Sequence, residues 1–448
     1  MRKPQVIPDE DHELIYQRVA AVDVAKASGM VCLRSPDKGG RYHSKVWEVC
    51  ATTAQVLAAG RELLKERVEM VTLEATSDYW RIWYYLLESL GLAVQLVSPD
   101  QARNLKGRPK TDRLDAMWLA RLTQWGMLHP CFVPPHPVRV LRDYARARAD
   151  LVRDRTRCWQ RLEKLLEGAL IKISSVASRL TTASAQDMIR ALIAGERDPH
   201  KIASLARGRM RAKHAQLAEA LDGMFGDHHG VLAEMELDRI ADLDARIAQL
   251  EDRAAAALRD IPQSWGADAD GTAGPDAGTG PDAAVLPAVL RLAEIPGVSI
   301  TIATEIIAET GLDMARFHDA GHLVSWAGLC RSAAQSGPRN GKGRKKHGNT
   351  YLRAALGRAA VAASHTDTFL GERYRRIARR RSSAIAQTAV ARSILVIIWH
   401  LLADRGARFR DLGPDWHTRR ADKDKKIRSH IRQLQALGLD VTVTPKTA

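Results

Sequence analysis

The chain has 448 residues, with 68 Lys and Arg against 52 Asp and Glu (a formal net charge of +16) and 45% hydrophobic residues, which suggests about two to four domains and excludes a disordered or collagen-like chain. Five widely spaced cysteines without a Cys-x-x-Cys pair exclude a zinc ribbon and argue against a disulfide scaffold. The N-terminus has no apolar signal-peptide core, and the longest apolar run, 394–403, is interrupted by His400 and too short to span a bilayer, so we expect a soluble cytoplasmic protein without a membrane partner.

The positive charge lies in the last quarter of the chain. Residues 331–448 carry 26 Lys and Arg against 8 Asp and Glu, a net charge of +18, whereas the first 330 residues carry a net charge of −2. Clustered Lys and Arg are what phosphate contacts require, so this distribution predicts a nucleic-acid partner. A generic basic tail or surface helix is the alternative.

The first 135 residues alternate between strand-like and helix-like patterns. Three strands come first, and two further strands then alternate with helices. This order predicts an α/β domain with a mixed sheet. The predicted strands are 16–24, 30–34, 43–49, 69–75 and 92–98, and the predicted helices are 51–67 and 78–90, the second capped by Ser77 or Asp78.

A helical region follows from about Val138. Apolar positions recur at helical spacing in two stretches, which predicts either the core of a helix bundle or the seam of a two-chain coiled coil. These positions are Leu141, Ala145, Val152, Trp159, Leu162 and Leu166, and later Ile240, Leu243, Ile247 and Leu250. The His228–His229 pair between them indicates a helix–helix turn more strongly than a metal site.

A stretch poor in large apolar side chains, 263–286, separates this region from the C-terminal part of the chain. Its Gly, Ala, Asp and Pro residues predict a flexible linker or an insertion. Further helices are predicted at 286–293, 300–310, 351–363 and 387–402.

Four carboxylates occupy positions suited to binding metal. Asp23 and Glu74 lie at the ends of two predicted strands, and Asp112 and Asp115 share one face at the start of a helix. Hard oxygen ligands in this order favour two Mg²⁺ or Mn²⁺ ions that assist phosphoryl transfer. Structural roles remain as alternatives: Asp23 could cap a turn, Glu74 could pair with an arginine, and Asp112 could cap its helix.

Basic side chains precede the two aspartates of the helix. Lys106, Arg108 and Lys110 place phosphate-binding charge immediately before Asp112 in the sequence. We therefore count these three residues as candidate nucleic-acid contacts.

Two motifs follow the linker. Residues 294–311 form a helix, a Pro296–Gly297 turn and a second helix, which could bind an anion or simply pack in the core. Ser336 and Gly337 then precede a loop rich in glycine and cations, where Ser336 could attack a phosphate. From the residues alone a loop hydrogen bond is the commoner role for this serine, and Ser332 is an equal candidate. The candidate nucleic-acid contacts here are Arg339, Lys342, Arg344, Lys345, Lys346 and, in the next helix, Arg353.

From about Tyr16 to Leu402 the chain resembles the transposases of the insertion sequence 110 family, described as bridge-RNA-guided recombinases. The resemblance depends on the order and spacing of several motifs. These are AAVDVAK around Asp23, LEATSDYW around Glu74, KTDRLDA around Asp112 and Asp115, IPGVSITIATEI, WAGLCRSAAQSG and HGNTYLRAAL.

The resemblance implies an RNase H-like, RuvC-like domain whose four acids match Asp23, Glu74, Asp112 and Asp115, a coiled-coil region, and a C-terminal transposase domain in which Ser336 matches the nucleophilic serine. It implies that Ser336 attacks DNA with help from magnesium (or manganese) held by the acids, and that a structured noncoding RNA pairs with donor and target DNA. The long helical region and the need to hold two DNA duplexes favour a homodimer or homotetramer, and we expect it in a bacterial cytoplasm, associated with the nucleoid.

Motifs and composition together predict five regions and one leading function. The regions are the RuvC-like domain (14–135), the helical or coiled-coil region (136–262), the linker (263–286), the mainly helical transposase domain (287–412) and a basic tail (413–448). The leading function is a serine-nucleophile DNA recombinase. The alternatives are a RuvC-type, metal-dependent nuclease of Holliday junctions and a non-catalytic nucleic-acid-binding scaffold.

Overall fold

The computed structural model describes residues 14–99, 111–265, 286–330, 335–336, 339–340, 348–419 and 423–442. The chain divides into two compact units, Met1–Val133 and Pro134–Ala448. All five cysteines are free thiols, which confirms the expectation of no disulfide scaffold.

A five-stranded mixed sheet organises the first unit, in the order β3-β2-β1-β4-β5. Strands β1 and β2 pair antiparallel, as do β2 and β3, whereas β4 runs parallel to both β1 and β5. The strands are β1 (Val19–Val24), β2 (Ser28–Pro36), β3 (Tyr42–Cys50), β4 (Met70–Glu74) and β5 (Val94–Val97). This order and these directions are those of an RNase H-like fold, as predicted.

Helices cover both faces of this sheet. α1 (Thr53–Lys65) and α2 (Trp80–Ser89) pack on the face that carries Val22 and Leu73, and α3 (Asp112–Gln124) packs on the face that carries Val19 and Ala21. Because side chains alternate along a strand, each strand contributes to both cores. The parallel strands are accordingly buried on both sides.

The start of α2 differs from the prediction. The helix begins at Trp80 after Tyr79, with no side-chain cap, and not after Ser77 or Asp78. Ser77 has a left-handed φ of 48°, and Asp78 instead forms an ion pair with Arg81 at 2.9 Å. A turn conformation and a local ion pair therefore replace the cap that the residue types suggested.

Two 33-residue helices form the first part of the second unit. α4 (His136–Gly168) and α9 (Asp227–Arg259) pack against each other within the chain and run antiparallel. Leu141, Ala145, Leu162 and Leu166 of the predicted stripe are buried, but Cys158 is buried more deeply than Trp159. Ion pairs along the helices join Arg148 to Glu251, Arg155 to Asp244 and Arg161 to Glu236.

Short helices close the far end of this helix pair. They are α5 (Ile173–Val176), α6 (Ala183–Ile193), α7 (Pro199–Ala203), a 3-10 turn (Gly208–Lys213) and α8 (His214–Leu221). Their apolar side chains share one core with Leu162 and Leu166 of α4 and Ala233 of α9. His229 lies in the first turn of α9, where its Nδ1 accepts the backbone N–H of Gly226 at 3.1 Å.

The C-terminal part of the second unit is mainly helical, as predicted. Its helices are α10 (Ala288–Ala293), α11 (Ile300–Thr310), α12 (Ala320–Trp326), α13 (Thr350–Ser364), α14 (Phe369–Arg380), α15 (Ser383–Ala403), α16 (Trp416–Arg419) and α17 (Lys423–Ala436), with a 3-10 turn at Met314–Arg316. Two-residue strands β6 (Gln335–Ser336) and β7 (Arg339–Asn340) pair antiparallel.

α15 is the central helix of this part. It packs against α12, α13 and α14, and Val390, Ile394 and Ile398 are fully buried. α15 is also long and apolar enough to cross a membrane. In the part of the chain that the structure describes, it is the one helix that meets this criterion. The core helix of a folded domain meets the same criterion, and the packing of α15 is of that kind.

Candidate active site

The sheet brings Asp23 and Glu74 side by side. β1 and β4 are parallel neighbours with Val22 opposite Leu73, so the next residue of each strand is one of the two acids. Alternation along β1 puts Asp23 on the face of Val19 and Ala21, which is the face covered by α3. Adjacent strands lie about 4.8 Å apart, so the two acids end neighbouring strands beneath one helix.

α3 carries the other two acids in its first turn. Asp112 is exposed and Asp115 is half-buried. The N-cap is Thr111, whose hydroxyl accepts the backbone N–H of Leu114 at 3.4 Å. The capping role that served as the alternative for Asp112 therefore belongs to Thr111.

The four carboxylates influence one another electrostatically. The pKa of Asp23 is raised to about 6, first by burial and then by the negative charges of Glu74, Asp112 and Asp115. No described cation offsets these effects at Asp23. Buried carboxylates of like charge are destabilising unless a proton or a cation neutralises them.

The donor set of this acidic site fits a divalent cation. Four carboxylates provide the hard oxygen ligands that such ions prefer. Among the described residues, however, no three His, Cys, Asp or Glu side chains are grouped closely enough to hold a metal ion. The acids are thus close enough to perturb Asp23 without converging on one point. Nucleases of the RuvC-like DEDD class generally use divalent ions.

A buried hydroxyl network lies on the same face as the acids and is absent from the sequence predictions. Thr72 of β4 is fully buried, and its hydroxyl accepts hydrogen bonds from Thr123 of α3 and from Gln95 of β5, each at 2.7 Å. Glu74 lies two residues after Thr72 on the same face. The network therefore fixes α3 against the strand that carries Glu74. The sequence signal for it is the position of Thr72 in MVTLE, two residues before Glu74 and therefore on the same face of the strand.

The two ends of the segment that carries Ser336 lie next to each other. Gly348 packs so closely against the backbone of Ala327 and Gly328 that a Cβ there would clash with the carbonyl oxygen of Ala327. The backbone of Ser336 pairs with Arg339 in the β6–β7 hairpin. Gly328 and Gly348, which lie on either side of Ser336 in the sequence, are therefore neighbours in the structure.

A buried polar network holds the returning end of this segment. Asn349 caps α13 by accepting the N–H groups of Tyr351 and Leu352, both at 3.1 Å. Its side-chain amide donates to Glu309 Oε2 at 2.5 Å. Glu309 is 2% exposed and accepts two parallel hydrogen bonds from Arg146, at 2.7 and 2.8 Å.

Further contacts extend this Glu309 network along α4. Arg142 donates to the backbone carbonyls of Ala308 and Glu309 at 2.9 and 2.8 Å. The guanidinium groups of Arg146 and Arg153 both lie over the ring of Tyr351, 4.8 and 5.0 Å from its centre. The network therefore ties α4 and α11 to the start of α13, over sequence separations too long for any local motif to indicate.

Several predicted site residues lie outside the described residues. These are Lys106, Arg108, Lys110, Lys342, Arg344, Lys345 and Lys346. Ser332 also lies outside them, and of Ser336 and Arg339 only the backbone is described. Arg353 is half-buried in the first turn of α13.

The Pro296–Gly297 hairpin packs in the core of the second unit. Gly297 has a left-handed φ of 88°, and a Cβ there would clash with Ala359 and lie 2.6 Å from the backbone nitrogen of Ala363. The glycine is therefore required by the approach of the turn to α13.

Two family models match the chain. The model described as "Transposase IS116/IS110/IS902 family" matches residues 289–375, and the DEDD model of IS110 elements, described as "Transposase", matches residues 20–171. Together they match just over half of the chain. No curated protein matches it.

Two solved structures of RuvC from Thermus thermophilus are similar to a quarter of the chain. The structure of RuvC is 15% identical with a TM-score of 0.20, and it covers 25% of this chain and 99% of the RuvC chain. The complex with a Holliday junction substrate is 16% identical with a TM-score of 0.19 and has the same coverage. The fold assignment depends on the sheet order and not on these likenesses.

The two family models match in the order in which the motifs occur along the chain. The DEDD model spans the acidic site, and the IS116/IS110/IS902 model spans Glu309 and Asn349 of the Glu309 network. Asp23 and Glu74 lie at the ends of neighbouring parallel strands, and Asp112 and Asp115 lie in the first turn of α3. The chain therefore belongs to the IS110 family of transposases and is a nucleic-acid-cutting enzyme.

Proposed function

We propose that this transposase cuts and rejoins DNA through a covalent bond to Ser336, assisted by a divalent-metal site of Asp23, Glu74, Asp112 and Asp115. The observation that carries the proposal is the electrostatic cluster of four carboxylates at the ends of β1 and β4 and the start of α3, in which burial and like charge raise the pKa of Asp23 to about 6. A site of this kind favours cations and repels phosphate until cations are bound.

Magnesium or manganese ions held by these carboxylates would stabilise charge on the attacking and leaving oxygens of phosphoryl transfer. The chain's own contribution is to place the carboxylates. Parallel pairing puts Asp23 beside Glu74, and the Thr111 cap leaves Asp112 available in the first turn of α3. Thr72 and Thr123 keep that helix in position.

Ser336 would act as the nucleophile. Its Oγ would form an ester with the scissile phosphorus while one phosphorus–sugar oxygen bond breaks, and the serine proton would end on the released sugar hydroxyl. Attack by the hydroxyl of another strand would reverse these changes and restore the serine. No external energy source is needed because the number of phosphate ester bonds is unchanged. The close packing at Gly348 and the Glu309 network support this role, since they fix the returning end of the segment.

The partners that we propose are donor and target DNA and a structured noncoding RNA that selects them by base pairing. The net charge of +18 on residues 331–448 supports contact with polyanions, mostly through the candidate cations there. Lys106, Arg108 and Lys110 would contact phosphate near the acids. We expect a homodimer or homotetramer, because two DNA duplexes must be held together.

Trapping the covalent intermediate tests this proposal. The full chain is incubated with Mg²⁺, the noncoding RNA that flanks its gene and DNA that carries the junctions of the element. We expect a denaturant-resistant protein–DNA adduct whose DNA-linked peptide contains Ser336. S336A should form no adduct, D23N should form little, and the matched control S332A should retain it.

Other outcomes would support the alternative functions. Cleavage by S336A, with free phosphate ends and no adduct in the natural chain, would indicate a RuvC-type junction nuclease. Nucleic-acid binding that is independent of metal, without strand cleavage by any variant, would indicate a scaffold. Either result would refute the serine mechanism.

A further inference from the structure

A large cleft lies in the second unit, and its lining includes no residue of the Glu309 network. It is bounded by α14, by α15 and by the segment 404–412, and its volume is about 1340 Å³. Pockets for small molecules usually measure about 300–1,000 Å³. The cleft is therefore large enough for a ligand of several linked units.

Arginine side chains line this cleft. Four of them form no ion pair or side-chain hydrogen bond with any described residue, whereas a fifth, Arg408, is paired with Glu294 at 2.6 Å. The carboxylate of Asp411, which also lines the cleft, accepts backbone N–H groups of Phe369 and Gly413. The four arginines are Arg373, Arg381, Arg392 and Arg410.

Arg373 is partly buried and lies close to other positive charges. The Nε atoms of Arg373 and the neighbouring Arg376 are buried without a hydrogen-bond partner among the described residues. The pKa of Arg373 is lowered by burial and by the positive charges of Arg376 and Arg392. The pKa of His417 is also lowered, first by burial and then by the positive charges of Arg376 and Arg373. Arg373 lines the cleft and Arg376 does not, so an anion bound there would relieve the repulsion at Arg373 and supply an acceptor for its guanidinium group.

Apolar side chains form much of the remaining cleft wall. Phe409 and Ile385 line it, and Ile385 is 46% exposed. Cations beside aromatic and aliphatic surface are typical of sites for unpaired nucleotides, because the phosphates bind the cations and the bases stack on the apolar surface. A duplex presents its phosphates outward and leaves no base free to enter such a cleft.

The cleft is also close to the candidate nucleophile along the chain. Gly328, Leu329 and Cys330 form part of its wall. Ser336 is six positions after Cys330, so at most about 20 Å of chain lies between them. A strand held in the cleft would therefore lie within reach of the segment that carries Ser336.

We propose that this cleft binds unpaired nucleotides, with phosphates on Arg373 and Arg392 and bases against Phe409 and Ile385. The proposal deepens the proposed function, on which it depends for a nucleic-acid substrate. Single-stranded DNA and single-stranded RNA share this chemistry, and the experiment distinguishes them.

Binding of labelled oligonucleotides to the full chain tests the cleft. The probes are oligothymidylate and oligouridylate of about 12 nucleotides, within the usual site sizes of such clefts, and a DNA duplex of similar length. We expect R373Q/R392Q to lose about tenfold or more in affinity for one or both single strands at about 100 mM salt, and the salt slope to fall by about 1.4 for two phosphate contacts. The probe that loses more identifies the strand. F409A should lose roughly tenfold with an unchanged salt slope.

The matched control is R379Q, which removes an exposed arginine from the same helix. It should change single-strand affinity less than threefold. The melting temperature of R373Q/R392Q should equal or exceed that of the natural chain because like charges are removed. If the double variant does not fold, R392Q alone carries the test.

Two results would overturn the cleft proposal. One is equal single-strand affinity in the cleft variants and R379Q. The other is a change in the molecular mass of the cleft variants in solution while their single-strand affinity is unchanged, which would show that the cleft is an interface between copies of the chain. Failure of the proposed function would give a different result. If the natural chain forms no Ser336 adduct but the cleft variants still lose single-strand binding, the serine mechanism is refuted and the cleft proposal stands.

Discussion

Glu309→Gln tests whether the Glu309 network fixes the segment that carries Ser336. The substitution keeps the shape of the side chain but removes its charge and one acceptor oxygen. Arg146 then loses half of its two-point contact, and an NH₂ group faces the donating amide of Asn349. Because Glu309 is 2% exposed, water cannot replace these partners.

The expected magnitude follows from the burial. Removing one partner of a buried ion pair costs about 3–5 kcal/mol, because the other charge remains unpaired. Arg146 is partly exposed, with a side-chain exposure of 32%, so we expect the lower end of that range, about 3 kcal/mol. The loss should be local to α11 and the start of α13 before it affects the whole unit.

Hydrogen exchange measured by mass spectrometry on the full chain is the assay, since a protein of two units does not unfold in two states. Peptides over 303–312 and 349–356 should exchange roughly a hundredfold faster in E309Q. The control is E251Q, which removes the 44% exposed partner of Arg148 and should cost about 0–1 kcal/mol. Equal exchange in E309Q and E251Q would refute the reasoning. Adduct formation at Ser336 should fall in E309Q and not in E251Q.

Three further predictions concern single substitutions. In the absence of divalent metal, D23N should be more stable than the natural chain by on the order of 1 kcal/mol at pH 7.5, a value discounted because Asp23 is only partly buried. The folded-state pKa of Asp23 is raised to about 6, so its contribution to stability is present below about pH 4 and is lost as pH rises through 6, and the melting temperatures should converge in acid. G348A should lower Ser336 adduct formation at least tenfold by displacing the segment from Ala327, whereas G357A, whose Cβ would meet only the end of Gln387, should not. G297A should cost more than 2 kcal/mol in thermal unfolding, and G195A, which has a left-handed φ but open space, about 1 kcal/mol.

The first unit could be predicted well because its signals are local. Alternating or continuous apolar runs mark β1, β2, β3, β4 and β5, and every predicted strand is present with bounds within a few residues. The cap of α2 could not be predicted, since the left-handed φ of Ser77 depends on the turn that follows Glu74. The preference of a residue type for the N-cap is an average over many helices, and it does not describe the backbone conformation of this particular turn.

The helix pair shows a different limit. Apolar spacing predicted the stripes on α4 and α9 but left open whether the partner was the same chain or a second one. Within the chain, Arg148, Arg155 and Arg161 meet acids in reverse order along α9, so the two helices pair with each other antiparallel. A one-helix pattern contains no information about the direction or the identity of its partner.

The acids could be proposed from sequence because strand ends and a helix face are local features. The residues that support them could not. Thr72 and Thr123 are 51 positions apart, and Arg146 and Glu309 are 163 apart. Each is an ordinary residue in its own stretch, and only the pairing of β4 with α3, or of α4 with α11, makes it a partner.

Burial alone does not explain why Glu309 is an acid. Apolar residues of similar volume often stabilise a core as well as a buried ion pair does, so stability alone does not require this network. What distinguishes the network is its directionality, because a carboxylate that accepts three hydrogen bonds, two from Arg146 and one from Asn349, and lies 3.5 Å from Arg142, restricts the arrangement of α4, α11 and Asn349. A nucleophile must be held to within a fraction of an ångström of its productive position. The segment that contains Ser336 is bounded by Gly328 and Gly348, whose backbones meet. For the nucleophile that we propose, the directional contacts of Asn349 with Glu309 fix one end of that segment, which an apolar core would not do.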